Sequence, residues 1–242
     1  MSSNSVEMPF WDHLEELRWR LIKSILAIVL GAIVSYNYSN SILYYLVLPT
    51  KSLPTQANLQ VLQVTSIFTT KLSIAFFGGV ILAFPIILFQ FWQFISPAFK
   101  TKYTLTMLIS LITSSLFFFL GICFAYFVII PISLSFFTSM TTTYVDINYN
   151  YTLQGYLSYV LRVIIGCGLI FQFPIISIIL TKIGVLTPEF LRQYRKYSIV
   201  SFLVLGAFLT PPDPISQVLV VLPLIILYEF SIVISRFLQP QN

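Results

Sequence analysis

Six apolar runs, separated by short polar segments, dominate this chain of 242 residues and limit its possible folds more than any other feature. They are Leu21 to Val47, Leu72 to Ile95, Leu105 to Phe137, Gly155 to Leu180, Tyr197 to Leu209 and Ile215 to Ile234. A hydrocarbon layer about 30 Å thick takes roughly 20 apolar residues to cross as a helix. Only helices or closed barrels satisfy their own backbone polar groups in lipid. Charged residues are 9% of the chain, against about 25% in a soluble domain, which is too few to cover a water-facing surface of this size. The expected fold is an all-α polytopic membrane protein, one domain over residues 1–242, with six transmembrane helices. The fifth and sixth helices are short. The fifth is about 20 Å long at 1.5 Å per residue. The sequence Thr210-Pro211-Pro212-Asp213-Pro214 joins the two in a tight hairpin. Beside it the bilayer must thin, or the hairpin must sit low.

Lys and Arg set the orientation, because cytoplasmic loops retain them. With six spans the two ends share a side. That side receives all of the 13 basic residues except Lys51, Lys71 and Arg162. Both termini are therefore expected in the cytoplasm or stroma. The segments Pro49 to Thr65 and Thr138 to Gln154 are expected as loops on the opposite side.

Several function classes have little support. A net charge of +5, scattered along the chain, gives no nucleic-acid surface. The two cysteines, Cys123 and Cys167, lie inside apolar runs and read as small buried hydrophobes. The single histidine, His13, leaves no Cys/His cluster for a metal. No nucleotide-binding glycine motif and no cleavable signal segment are seen. No internal repeat supports an inverted-repeat transporter. A small transporter or channel, needing paired ionisable groups near the midplane, is the alternative from another class. No cofactor is expected.

The segment Phe10-Trp11-Asp12-His13-Leu14-Glu15-Glu16-Leu17-Arg18 begins just after Pro9, a residue suited to a helix start. His13 and Glu16 share a helix face. Two readings stay open: an amphipathic helix lying on lipid headgroups, or a carboxylate that receives a basic partner at the membrane face. In the other runs, Gln172 is a polar residue suited to bonding between helices. Glu229 is the one acid well inside an apolar run, and Arg236 follows seven residues later on the same face. Arg162 lies about two turns inside the outer end of the fourth run and is expected to reach Asp146, Asp213 or the interface.

His13-Leu14-Glu15-Glu16-Leu17-Arg18 resembles the opening motif of the TatC family, the signal-receptor subunit of the twin-arginine, Sec-independent protein translocase. Further landmarks follow in order: Phe91 to Ala98, Phe124-Ala125-Tyr126-Phe127 with Pro131, Phe171-Gln172-Phe173-Pro174, Leu209 to Asp213, and Ser235-Arg236-Phe237. The resemblance implies a receptor and scaffold without catalytic activity, driven by the proton-motive force. It implies twin-arginine signal peptides of folded cargo as ligands. It also implies TatA- and TatB-type single-helix subunits as partners in an oligomeric complex. By motif position Glu16 is the main signal-binding carboxylate; Glu15, pointing about 100° away, Tyr103 and Phe94 are the other residues expected at the signal-peptide site. Many members carry a second acid where this chain has Tyr103, which offers a hydroxyl or a ring face to arginine instead. Gln172, Tyr126, Asp213 and Glu229 are expected as partner-helix contacts or structural polar groups. The Ile-, Phe- and Tyr-rich composition looks like that of an AT-rich genome, and Gln172 and the short carboxyl tail resemble plastid and cyanobacterial relatives. A plastid thylakoid membrane is therefore favoured, with a bacterial plasma membrane as the alternative.

Overall fold

The computed structural model describes residues 10–51, 58–95, 104–139, 150–210 and 214–238. The first apolar run and the charged segment before it form one helix, α1 (Phe10–Asn37), which turns at Tyr38 into α2 (Ser39–Lys51). Next come a short strand β1 (Asn58–Gln60) and the long α3 (Ser66–Ile95). The third run is α4 (Thr104–Phe124), a π-helical turn Ala125–Ile129, and α5 (Ile130–Ser139). The π turn is the local answer to Pro131. The proline has no N–H and its ring crowds the carbonyl one turn back, so the ladder widens and the Ile130 N–H bonds to Ala125 O instead.

Strand β2 (Asn150–Thr152) leads into the fourth run. That run breaks at Phe171–Gln172 into α6 (Leu153–Ile170) and α7 (Phe173–Ile183), where Pro174 opens α7. Gly184, in the left-handed region at φ 83°, ends α7. A small helix α8 (Pro188–Gln193) is capped by Thr187, whose hydroxyl accepts from the Phe190 N–H as the Thr-Pro-Glu sequence implies. The hairpin is α9 (Arg195–Leu209) and α10 (Pro214–Leu238).

Among the described residues, four stretches are long and apolar enough to cross a membrane: Ser66–Ile95, Leu108–Ser139, Leu153–Thr181 and Pro214–Phe237. Helix α1 has the length, at 28 residues, but begins with a charged third. Helix α9 has 15 residues. The two strands depart from a purely helical reading. They pair in parallel, Asn58 with Asn150 through Gln60 with Thr152, and hold the two expected outer loops at one end of the molecule.

The α6–α7 unit is the centre of the bundle. Half of its span is buried, against 28% for α3. Val160 and Val163 of α6 are fully enclosed, together with Ile74, Ile129 and Ile130. Helix α1 packs along α3 at very close range. A Cβ at Gly79 would stand 2.6 Å from Ala32 N and 2.7 Å from Ile28 O, so only glycine permits this approach of two backbones.

Proline shapes a further junction. Pro49 in α2 has no N–H for the carbonyl of Tyr45, one turn before it. The hydroxyl of Tyr126 donates to that Tyr45 oxygen at 2.6 Å, and the hydroxyl of Tyr156 donates to Leu46 O at 2.8 Å. Two tyrosines thus tie the π turn and α6 to the end of α2. Tyr126, expected as a structural polar group or partner contact, makes this bond to α2.

Candidate functional site

The close packing of α1 on α3 brings the start of α1 against the last turn of α3. Glu16 lies there, about a quarter exposed. Arg20, one helical turn on, donates from Nε to Glu16 Oε1 at 3.0 Å and also from its terminal nitrogen. The same guanidinium reaches Gln93 Oε1 at 2.6 Å, so Arg20 joins the carboxylate to α3. The other carboxylate oxygen, Oε2, is buried and accepts no hydrogen bond from a described residue. His13 Nδ1 stands 3.6 Å from it. The His13 ring is stacked on Phe94, with centroids 4.3 Å apart.

The arrangement is a half-covered anion with one oxygen taken and one left over among the described residues, beside an imidazole that is itself stacked on a phenyl ring. A buried carboxylate oxygen without a donor is costly to keep. It is a receptor for a further N–H donor, and a guanidinium is the side chain best shaped to supply two. Glu15 faces away: it is two-thirds exposed and lies 3.9 Å from the equally exposed Arg18. Among the described residues no group of three or more His, Cys, Asp or Glu could hold a metal.

Of the residues singled out in the sequence, Glu16 and Phe94 meet here, through His13. Glu15 does not join them. Tyr103 and Asp213 lie outside the described residues. Gln172 is buried at the α6–α7 break, and its amide donates to Ser114 O of α4 at 2.9 Å, so it bonds between helices. Glu229 does not pair with Arg236. It receives Arg195 at 2.6 Å, because the start of α9 sits beside the middle of α10. Sequence reasoning passed over Arg20 and Gln93. The four-residue spacing of Glu16 and Arg20 was a usable signal; Gln93 had none, since it comes from a helix 73 residues away.

The family model described as Sec-independent protein translocase protein (TatC) matches residues 12–223. The Sec-independent protein translocase protein TatC of Carboxydothermus hydrogenoformans is 40% identical over 239 residues, covering 97% of this chain and 96% of the relative. Its counterpart from Aquifex aeolicus is 37% identical over 230 residues, 95% of each chain. The one from Escherichia coli K12 is 34% identical over 95% of this chain and 88% of its own. A crystal structure described as the twin arginine translocase receptor TatC superposes with a TM-score of 0.85, at 37% identity, covering 93% of this chain and 99% of that one. Ordered landmarks, bundle and overall superposition agree: the chain belongs to the TatC family of Sec-independent protein translocase proteins.

Proposed function

We propose that this chain is the receptor and scaffold subunit of a twin-arginine translocase. It binds twin-arginine signal peptides of folded cargo at its cytoplasmic or stromal face and gathers TatA- and TatB-type single-helix subunits into an oligomeric complex driven by the proton-motive force. The observation that carries this reading is Glu16: a half-covered carboxylate with an unsatisfied oxygen at the joint between α1 and α3. An arriving arginine takes Oε2 by displacing His13, while Arg20 keeps Oε1 pointed at α3. Phe94, under the His13 ring, then offers its face to the guanidinium.

Six spans (α1, α3, α4–α5, α6–α7, α9 and α10) with both termini on the inner face fit the distribution of Lys and Arg. The compartment we favour is the plastid thylakoid, on the composition and on Gln172. A bacterial plasma membrane is the alternative, and the relatives named above are bacterial.

The test is crosslinking to a twin-arginine signal peptide with a twin-lysine peptide as control. A charge-assisted contact contributes about 1.5–3 kcal/mol, roughly ten- to a hundredfold in affinity. Glu16→Ala is expected to weaken binding by that factor with the fold intact, and Glu15→Ala to do much less. Silent Glu16→Ala together with abolished binding in Glu15→Ala overturns the assignment.

A further inference from the structure

Arg162 is exposed on α6 and makes no hydrogen bond or ion pair with another described residue. It is nine residues into the helix, about 14 Å below its Leu153 end. A cation this deep in a span needs a partner or a wet cavity. Its guanidinium reaches only part of the way back to that end.

The neighbouring helix changes the depth of the surface there. Helix α9 starts at Arg195 and runs 15 residues, about 22 Å against a core of about 30 Å. Its last residue, Leu209, packs on Gly166: a Cβ at Gly166 would run into the Leu209 side chain. The tip of α9 therefore stops at the level of Arg162 and Gly166, leaving the outer turns of α6 uncovered on that side. A cavity of about 420 Å³ opens at this step, between Gly155, Tyr159 and Arg162 of α6 and Ala207 to Thr210 of α9.

Two more cavities adjoin it. Above, sharing Gly155, is one of about 350 Å³ lined by neutral polar groups, among them Gln63, Gln154 and Ser158. Below, sharing Ala207 and Phe208, is an apolar groove of about 300 Å³ along Val200, Leu203 and Val204. The line runs from neutral hydrogen-bonding groups through a single cation to an apolar trough, and no described lining residue is acidic. This is the order of polarity along one phospholipid: headgroup, phosphodiester, acyl chain.

We propose that Arg162 holds the phosphodiester of a phospholipid drawn down from the leaflet opposite Arg195. The headgroup lies among Gln63, Gln154 and Ser158, and one acyl chain lies on the exposed face of α9. The bound lipid fixes the membrane surface at the depth where the short hairpin ends. The membrane orientation proposed above enters only in naming that leaflet. Signal binding does not enter the test, so either proposal can fail alone.

The test uses the purified full chain, delipidated in detergent, titrated with phosphatidylglycerol and read by native mass spectrometry. Diacylglycerol and glycerol 3-phosphate serve as controls, and melting curves check the fold. Wild type and Arg162→Lys are expected to retain one tightly held phosphatidylglycerol, and Arg162→Gln to bind it at least tenfold more weakly. Val204→Trp, which fills the trough without changing charge, is expected to weaken retention as well. Equal retention by Arg162→Gln overturns the proposal. So does equal retention of diacylglycerol, which needs the trough alone, or displacement by glycerol 3-phosphate at the same concentration as lipid, which marks a site for free phosphate.

Discussion

Replacing Tyr126 with Phe removes one oxygen and tests how a proline-broken helix is held in this bundle. The Tyr126 hydroxyl donates at 2.6 Å to Tyr45 O, the carbonyl that Pro49 deprives of its usual donor. This bond lies at an exposed position, so the cost of about 1–3 kcal/mol for leaving a buried carbonyl unsatisfied is an upper bound. Measured interhelical bonds in membranes average about 0.6 kcal/mol, with a maximum near 1.7. The expected loss for Tyr126→Phe is therefore about 0.6–1.7 kcal/mol, roughly a three- to twentyfold fall in the folded-to-unfolded ratio. Pro49→Ala restores an N–H to the same carbonyl, so in that background the Tyr126 hydroxyl has less to supply. A double-mutant cycle, read by denaturant unfolding in micelles, is expected to give a coupling of about 1 kcal/mol between the two sites. If Tyr126→Phe costs the same with and without Pro49, the hydroxyl is not replacing the missing donor and the reasoning fails.

Two other outcomes follow from the geometry. Gly79→Leu puts a side chain where backbone atoms of α1 stand 2.6 and 2.7 Å from the would-be Cβ. It should cost about 1–3 kcal/mol and loosen the Arg20–Gln93 link, seen as a lower melting point together with reduced signal-peptide crosslinking; no change in either contradicts it. Single cysteines at Gln193 and at Asn58 should be labelled from opposite sides of the membrane, Gln193 from the cytoplasmic or stromal one, and the same accessibility for both ends the six-span arrangement.

The membrane class was legible in the sequence because it depends on local composition: apolar runs of sufficient length are a property of neighbouring residues. Helix ends were legible where the chemistry is local, as at Thr187-Pro188, while the break before Pro174 inside the fourth run was not. Glu16 was legible through a motif whose residues lie on one helix face. What lies around Glu16 was not, since the Gln93 amide meets Arg20 and the Phe94 ring meets His13 only because Gly31 and Gly79 let two distant helices touch. Partners that could be paired in sequence were not always the ones chosen. Glu229 had Arg236 two turns away on its own helix, yet binds Arg195, because the short α9 begins beside the middle of α10. Arg162 shows the same division. Its depth in a span can be counted along the chain, but the surface beside it is decided by where α9 stops. Composition and periodicity set which segments enter the membrane, as each segment must satisfy its own backbone there. Charges and hydroxyls take their partners from whichever segment packing brings within about 3 Å, and that choice exists only in the folded bundle.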